Sequence, residues 1–179
     1  MTGDDKIRIA GIMKESIVDG PGIRLAVFCQ GCPHRCEGCH NPQSHDFAGG
    51  YDMSISEILE EFDKNPLLSG ITFSGGEPMC QPVPFAALSE AVKKRGKTVT
   101  IFSGYTFEEL LERARGIKDE LTFEERKATA YLLRTCDILI DGRFQLERRD
   151  LTLKYRGSDN QRVIDMNKSR KTGEICLYD

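Results

Sequence analysis

Short apolar runs rich in β-branched and aromatic residues alternate along this chain with segments that carry helix-start signals, and this alternation restricts the fold more than any other feature. The runs are IRIAGI (7–12), RLAVFC (24–29), GITFS (70–74), TVTIF (98–102) and DILID (137–141), each of strand length and strand composition. Between them, Ser54 with Glu57, Thr106 with Glu109 and Thr122 with Glu125 match the pairing in which a hydroxyl and a carboxylate three residues on satisfy the first free amides of a helix. A fourth helix is expected from about Pro84 to Arg95, with Pro84 in its first turn and Gly96 just past its end. Strands joined by helical crossovers make right-handed βαβ units and a mostly parallel sheet, an α/β fold. A closed eight-fold barrel takes about 250 residues. The 179 residues here supply only part of one, so a partial, open βα barrel is expected. The last stretch, QRVIDMNKSRKTGEICLYD, has two β-rich runs around a turn at 171–173 and reads as a C-terminal hairpin. No linker or repeat divides the chain, so residues 1–179 are expected to form one domain.

In sheets of this kind the functional groups collect in the loops that follow the strands. Four distinctive segments occupy such loops: the cysteine-rich GCPHRCEGCHNP after 24–29, SGGEP after 70–74, FSGYT after 98–102 and DGRF after 137–141. All four are expected at one edge of the sheet.

Four cysteines fall within the eleven residues Cys29–Cys39, and Cys32, Cys36 and Cys39 read C-x3-C-x2-C. Three thiolates at that spacing can hold three irons of a cubane cluster and leave one iron open. A tetrahedral zinc site built from Cys29, Cys32, Cys36 and Cys39, or from three of them with His34 or His40, is the rival; the absence of a distant second pair of cysteines weighs against it. Cys29, at a strand end, also suits a small buried apolar role. Gly75 and Gly76 directly after a strand would let a ligand come close to the backbone, with Glu77 offering a carboxylate to an ammonium group. Asp141 could accept from ribose hydroxyls, and Arg143 suits a carboxylate. His34 and His45 read as exposed loop residues, whereas His40, beside Cys39, reads as part of the site.

Seven cysteines, unevenly placed, do not form a secreted disulfide framework, and reduced thiols serving a metal fit better. The start MTGDDKIRI lacks a basic segment followed by an apolar one, and no apolar run approaches the roughly 18 residues of a membrane span, so a cytoplasmic protein without membrane attachment is expected. A net charge of -3 gives nucleic-acid binding no support. Between Arg143 and Lys171, however, nine basic residues face four acidic ones, which reads either as a solvated face or as a docking surface for an acidic partner.

GC-x3-C-x2-C followed by SGGEP resembles the radical S-adenosylmethionine enzymes, and Asp19-Gly20-Pro21-Gly22-Ile23-Arg24 resembles the DGPGIR signature of the glycyl-radical-enzyme activases. With FSGYTFEEL, DILIDGRF and YRGSDNQRVID, the match spans nearly the whole chain and resembles the activases of anaerobic ribonucleoside-triphosphate reductase. The resemblance implies a radical S-adenosylmethionine barrel in which Cys32, Cys36 and Cys39 ligate one 4Fe-4S cluster and the fourth iron is left for S-adenosylmethionine. It places Gly38, Cys39 and His40 along the adenine, Gly75, Gly76 and Glu77 at the methionine end with Ser103 as a further contact there, and Asp141 and Arg143 near the ribose or carboxylate. It also implies reductive cleavage of S-adenosylmethionine to methionine and a 5'-deoxyadenosyl radical, the glycyl radical subunit of the reductase as partner, and a flavodoxin or ferredoxin as electron donor. Pyruvate formate-lyase activase is the sister reading, though the 38 residues after Asp141 leave room for barely one further βα unit of roughly 30 residues. A non-enzymatic zinc-knuckle interaction module is the reading of another class.

Overall fold

The computed structural model describes residues 5–118 and 120–178. The first four residues, on which part of the reading of the N-terminus rests, lie outside the described residues. In chain order the elements are β1 (Lys6–Ser16), β2 (Arg24–Cys29), β3 (Tyr51–Ser54), α1 (Ile55–Asp63), β4 (Gly70–Gly75), α2 (Pro82–Lys94), β5 (Thr98–Ser103), α3 (Phe107–Arg115), α4 (Phe123–Thr135), β6 (Ile138–Asp141), β7 (Arg162–Asp165) and α5 (Met166–Thr172). One open seven-stranded sheet runs in the order β3-β1-β2-β4-β5-β6-β7. Its centre, β2-β4-β5-β6, is parallel. The flanking pairs β1/β2, β1/β3 and β6/β7 are antiparallel.

The three hydroxyl and carboxylate pairs form as read: Ser54, Thr106 and Thr122 each accept from the amide three residues on and receive the matching carboxylate in return. The helix α2 starts two residues before the expected Pro84, with Pro82 at its first position. Two elements differ from expectation. The strand β3, YDMS, has no apolar alternation to announce it and exists because it pairs with the edge of β1. At the C-terminus, the chain does return antiparallel to β7, through Asp165 N–H to Cys176 O (2.9 Å) and Tyr178 N–H to Val163 O (2.8 Å). The connection is the helix α5 rather than a turn at 171–173, because the Asp165 side chain accepts from the Lys168 amide and Met166 is buried beneath it.

Side-chain alternation gives the sheet two different faces. Leu25, Val27, Cys29, Ile71, Phe73, Val99, Ile101 and Leu139 form the main core with the helices. The opposite face carries Arg24, Thr72 and Thr100 low on the strands, and Phe28, Ser74, Phe102 and Ile140 near their C-terminal ends, where they line a cavity of about 930 Å³. The lower end is closed by Arg24, only 1% exposed. Its guanidinium donates to Thr72 Oγ1 (2.7 Å), Ile71 O (2.7 Å), Thr98 Oγ1 (3.0 Å), Thr98 O (3.1 Å) and Pro21 O (3.1 Å). Burial lowers its pKa to about 10, so it stays charged at neutral pH. The acceptors come from β4, β5 and the 19–22 turn, so one side chain ties the floor of the sheet together.

Replacing Arg24 by Met should leave those acceptors without their donor and lower stability by about 2–4 kcal/mol in chemical denaturation. A shift within about 0.5 kcal/mol, the range of an ordinary surface substitution, would show that the floor does not depend on this residue.

Candidate metal centre

The chain leaves β2 at Cys29 and folds back on itself through three residues with positive φ, Gly31 (97°), Arg35 (47°) and Gly38 (71°). The loop is pinned to the segment that follows it. Gly31 N–H donates to Ser44 O (2.8 Å), Cys32 N–H to His45 O (3.1 Å), and the buried Gln30 amide to Gln43 O (3.0 Å) and Asp46 O (2.6 Å). Wound this way, the loop points backbone amides at sulfur. Burial pushes the Cys32 thiol up, and the amides of His34 and Arg35 pull it back; burial likewise raises Cys36, and the Phe144 amide opposes it. The Asn41 amide lies 3.4 Å from Cys39 Sγ. Cys39 Sγ thus receives a backbone N–H, while the nearby amides of His34, Arg35 and Phe144 favour the charged form of Cys32 and Cys36 against their burial.

Cys32, Cys36 and Cys39 all line the 930 Å³ cavity. Cys29 points to the other face, into the helix-packed core, where burial holds its thiol well above the ordinary range. His45 also lines the cavity; it is half-buried rather than exposed, and its Nε2 has no hydrogen-bond partner. Among the described residues, no group of three His, Cys, Asp or Glu side chains is drawn together tightly enough for a single metal ion. Room, three thiols lining the same cavity and an orphaned imidazole nitrogen suit a multi-atom cluster with a ligand next to it.

The two glycines of SGGEP line the cavity, and their missing side chains also make room within the protein. A Cβ on Gly75 would lie 2.6 Å from Cys29 N, and one on Gly76 would lie 2.4 Å from Gly31 O. They make room for the cysteine loop, which is stitched to them by Gly76 N–H to Cys29 O and Glu77 N–H to Gly31 O, both 2.8 Å.

Glu77 and Asp141, expected to meet the ligand, instead face the protein. Glu77 is fully buried. Its Oε1 accepts from Met79 N–H (3.0 Å) and Ser103 Oγ (2.9 Å), and its Oε2 from Gly104 N–H (2.8 Å) and His34 Nε2 (2.9 Å). A carboxylate has about four acceptor positions, and all four are used. Asp141, 1% exposed, takes Arg162 in a two-pronged pair and accepts from Phe107 N–H (2.7 Å) at the start of α3. Arg162, read from sequence only as part of a basic surface, is therefore a buried anchor's partner, and Glu108 shares it.

The cavity wall on that side is made by Ser103, Gly104 and Gly142. Arg143, about half exposed, donates to His34 Nδ1 (3.2 Å) and to Glu109 (3.4 Å). His34 is itself enclosed, its side chain 5% exposed, contrary to its reading as a surface residue. His40 lines the cavity with its ring 5.4 Å from Phe144, whereas Gly38 lies outside the lining, against Leu146 and Phe144. Nothing in the sequence singled out Phe144, Gly104 or Arg162, because their roles depend on which strands become neighbours.

The family described as a 4Fe-4S single cluster domain matches residues 18–164. Anaerobic ribonucleoside-triphosphate reductase-activating proteins align over 81% of this chain and 89% of their own length, at 34% identity for Pasteurella multocida and 30% for Vibrio cholerae. The pyruvate formate-lyase-activating enzyme of Clostridium pasteurianum is 39% identical over 59% of the chain, which spans about half (48%) of that protein.

Because a side chain at position 76 meets main chain rather than a flexible neighbour, Gly76→Ala should force the two loops apart. Iron bound per chain after anaerobic reconstitution should fall well below wild type while far-ultraviolet circular dichroism stays unchanged. Full iron content in that variant would show that the close approach of the loops is not needed for the site.

Proposed function

The chain belongs to the 4Fe-4S single cluster domain family and, within it, to the anaerobic ribonucleoside-triphosphate reductase-activating proteins, and on that premise we propose that it generates the glycyl radical of such a reductase. The observation that carries the proposal is that Cys32, Cys36 and Cys39 all line one cavity while the fourth nearby cysteine, Cys29, is buried in the core on the other face of the sheet. Cys32, Cys36 and Cys39 would hold the 4Fe-4S cluster and leave one coordination position for S-adenosylmethionine. When bound, these two groups supply one-electron reductive cleavage to methionine and a 5'-deoxyadenosyl radical able to take a hydrogen atom from a glycine of the partner.

The chain's own contribution is placement and exclusion. Main chain at Cys39 and His40 on one side and at Gly75 and Gly76 on the other would bracket S-adenosylmethionine. Ser103 and Arg143 would border its methionine and ribose ends. Glu77 and Asp141 act one layer out, as anchors of the loops that carry those groups. The apolar side chains Phe28, Phe102 and Ile140 form the wall behind, offering few polar groups to hold water. The open mouth leaves access for a flexible segment of the partner, and the electron would come from a flavodoxin or ferredoxin. No helix among the described residues is long and apolar enough to cross a membrane, and a cytoplasmic site of action fits this partner set.

The basic stretch from Arg143 to Lys171 contributes less free charge than its composition suggests. Arg143 pairs with Glu109, Arg148 with Asp159, Arg162 with Asp141 and Glu108, and Lys168 with Asp165. A docking role therefore falls to exposed members such as Arg149 and Lys154.

The sister reading, pyruvate formate-lyase activation, is favoured by the higher local identity to the Clostridium pasteurianum enzyme. Coverage of nearly the full length of the reductase activases outweighs it. After anaerobic reconstitution, dithionite and S-adenosylmethionine should release 5'-deoxyadenosine, and Cys36→Ala should abolish that release. A colourless protein holding one zinc and no iron or sulfide would contradict the proposal.

A further inference from the structure

We propose that His34 is the positioning residue of the centre, clamping the cysteine loop to the ends of β4, β5 and β6 so that the three thiols keep one arrangement. The inference rests on the assignment of Cys32, Cys36 and Cys39 as the cluster ligands and adds to it the group that orients them. His34 sits inside the C-x3-C segment, two residues from both Cys32 and Cys36, yet both its ring nitrogens are engaged by other strand ends. One ring nitrogen meets Glu77 Oε2 at 2.9 Å and the other receives Arg143 Nε at 3.2 Å.

A guanidinium can only donate, so Nδ1 is the acceptor and Nε2 carries the proton given to Glu77. In that arrangement the ring satisfies both neighbours at once. Its seat is built for it. Tyr105 lies edge-on at 4.4 Å, and a Cβ on Gly104 would strike the ring at 2.3 Å.

Through these contacts one side chain joins all four strand-end loops. The cysteine loop carries His34, the loop after β4 carries Glu77, the loop after β5 supplies Ser103 and Gly104 to the same carboxylate, and the loop after β6 supplies Arg143. The main-chain stitches at Gly31 and Gly76 fix only the root of the cysteine loop, next to β2. Beyond Cys32 the loop meets the other strand ends through the two hydrogen bonds of His34 and, further on, through packing of His40 and Gly38 against Phe144 and Leu146, and of these the His34 bonds are the directional ones. Outer groups of this kind commonly set ligand geometry and cost about 10–100-fold in metal affinity when removed.

The test compares the full chain with His34→Phe, His34→Asn and His34→Gln, each reconstituted anaerobically without S-adenosylmethionine. Iron release to an excess of ferrous chelator is followed in time, and the dithionite-reduced cluster is recorded by electron paramagnetic resonance. Phe keeps the ring and its packing against Tyr105 but neither hydrogen bond. Asn keeps a group near Nδ1, and Gln reaches the position of Nε2 and can donate to Glu77. Iron should leave the Phe and Asn variants about tenfold faster than wild type, with an altered resonance line shape, while Gln restores both readouts. Rescue by Gln but not Phe is an outcome that a packing role would not produce, and the Asn and Gln pair decides the matter if the Phe variant does not fold. Wild-type release rates in Phe, or equal losses in Asn and Gln, would overturn the clamp alone. A wild-type chain that takes up no iron would overturn the ligand assignment and the clamp with it.

Discussion

The Glu77 carboxylate, buried completely and accepting four hydrogen bonds, is the interaction on which the arrangement of the site depends. A buried charge is tolerable only when its acceptor positions are filled, and here the filling groups come from the cysteine loop, the turn after Glu77 and the loop after β5. The carboxylate therefore sets a condition on three separate stretches of chain, all of which must be in place together. Asp141 repeats the device two strands further on, at the end of β6, gathering Arg162 from β7 and the first amide of α3. Two buried acids hold the loop scaffold, and the surface left to a ligand combines sulfur and glycine main chain with apolar side chains such as Phe28, Phe102 and Ile140.

The sheet makes this possible by separating its two faces. Helices cover one face with an apolar core, so the strands keep their register without help from the site. The other face is graded along the strand direction, with Arg24 and threonines at the floor and Phe28, Ser74, Phe102 and Ile140 at the top. A charged floor that is hydrogen-bonded to its limit and an apolar upper wall place the open volume at the C-terminal ends of β2, β4, β5 and β6. The antiparallel strands β1, β3 and β7 extend the sheet at both edges but supply none of the four loops that carry the motifs. Function collects where the parallel strands end, as the topology requires.

Much of this was legible before any coordinates. Each strand run and each hydroxyl and carboxylate pair depends on local rules, and those elements formed at the expected places. The cysteine spacing and the convergence of four loops were legible for the same reason. What could not be read was the partner of each polar side chain. Glu77 beside two glycines looked like a ligand group because nothing in SGGEP shows that Ser103, Gly104 and His34 will surround it. His34 looked exposed because a loop histidine usually is, and its enclosure depends on Arg143, 109 residues away. That Gly76 also makes room for Gly31 depends on the cysteine loop folding back beside it, which SGGEP alone does not show. The strand β3 and the helix α5 were missed because edge pairing and a single capping aspartate produce them, not an apolar period.

The central claim is that this centre passes a radical to a glycine of a partner reductase, and electron paramagnetic resonance reads that event directly. The reconstituted chain, reductant and S-adenosylmethionine are mixed anaerobically with an anaerobic ribonucleoside-triphosphate reductase and, in parallel, with a pyruvate formate-lyase. The account predicts a glycyl radical doublet that grows on the reductase and not on the lyase. A doublet confined to the lyase, or 5'-deoxyadenosine released with no radical on either protein, would contradict it.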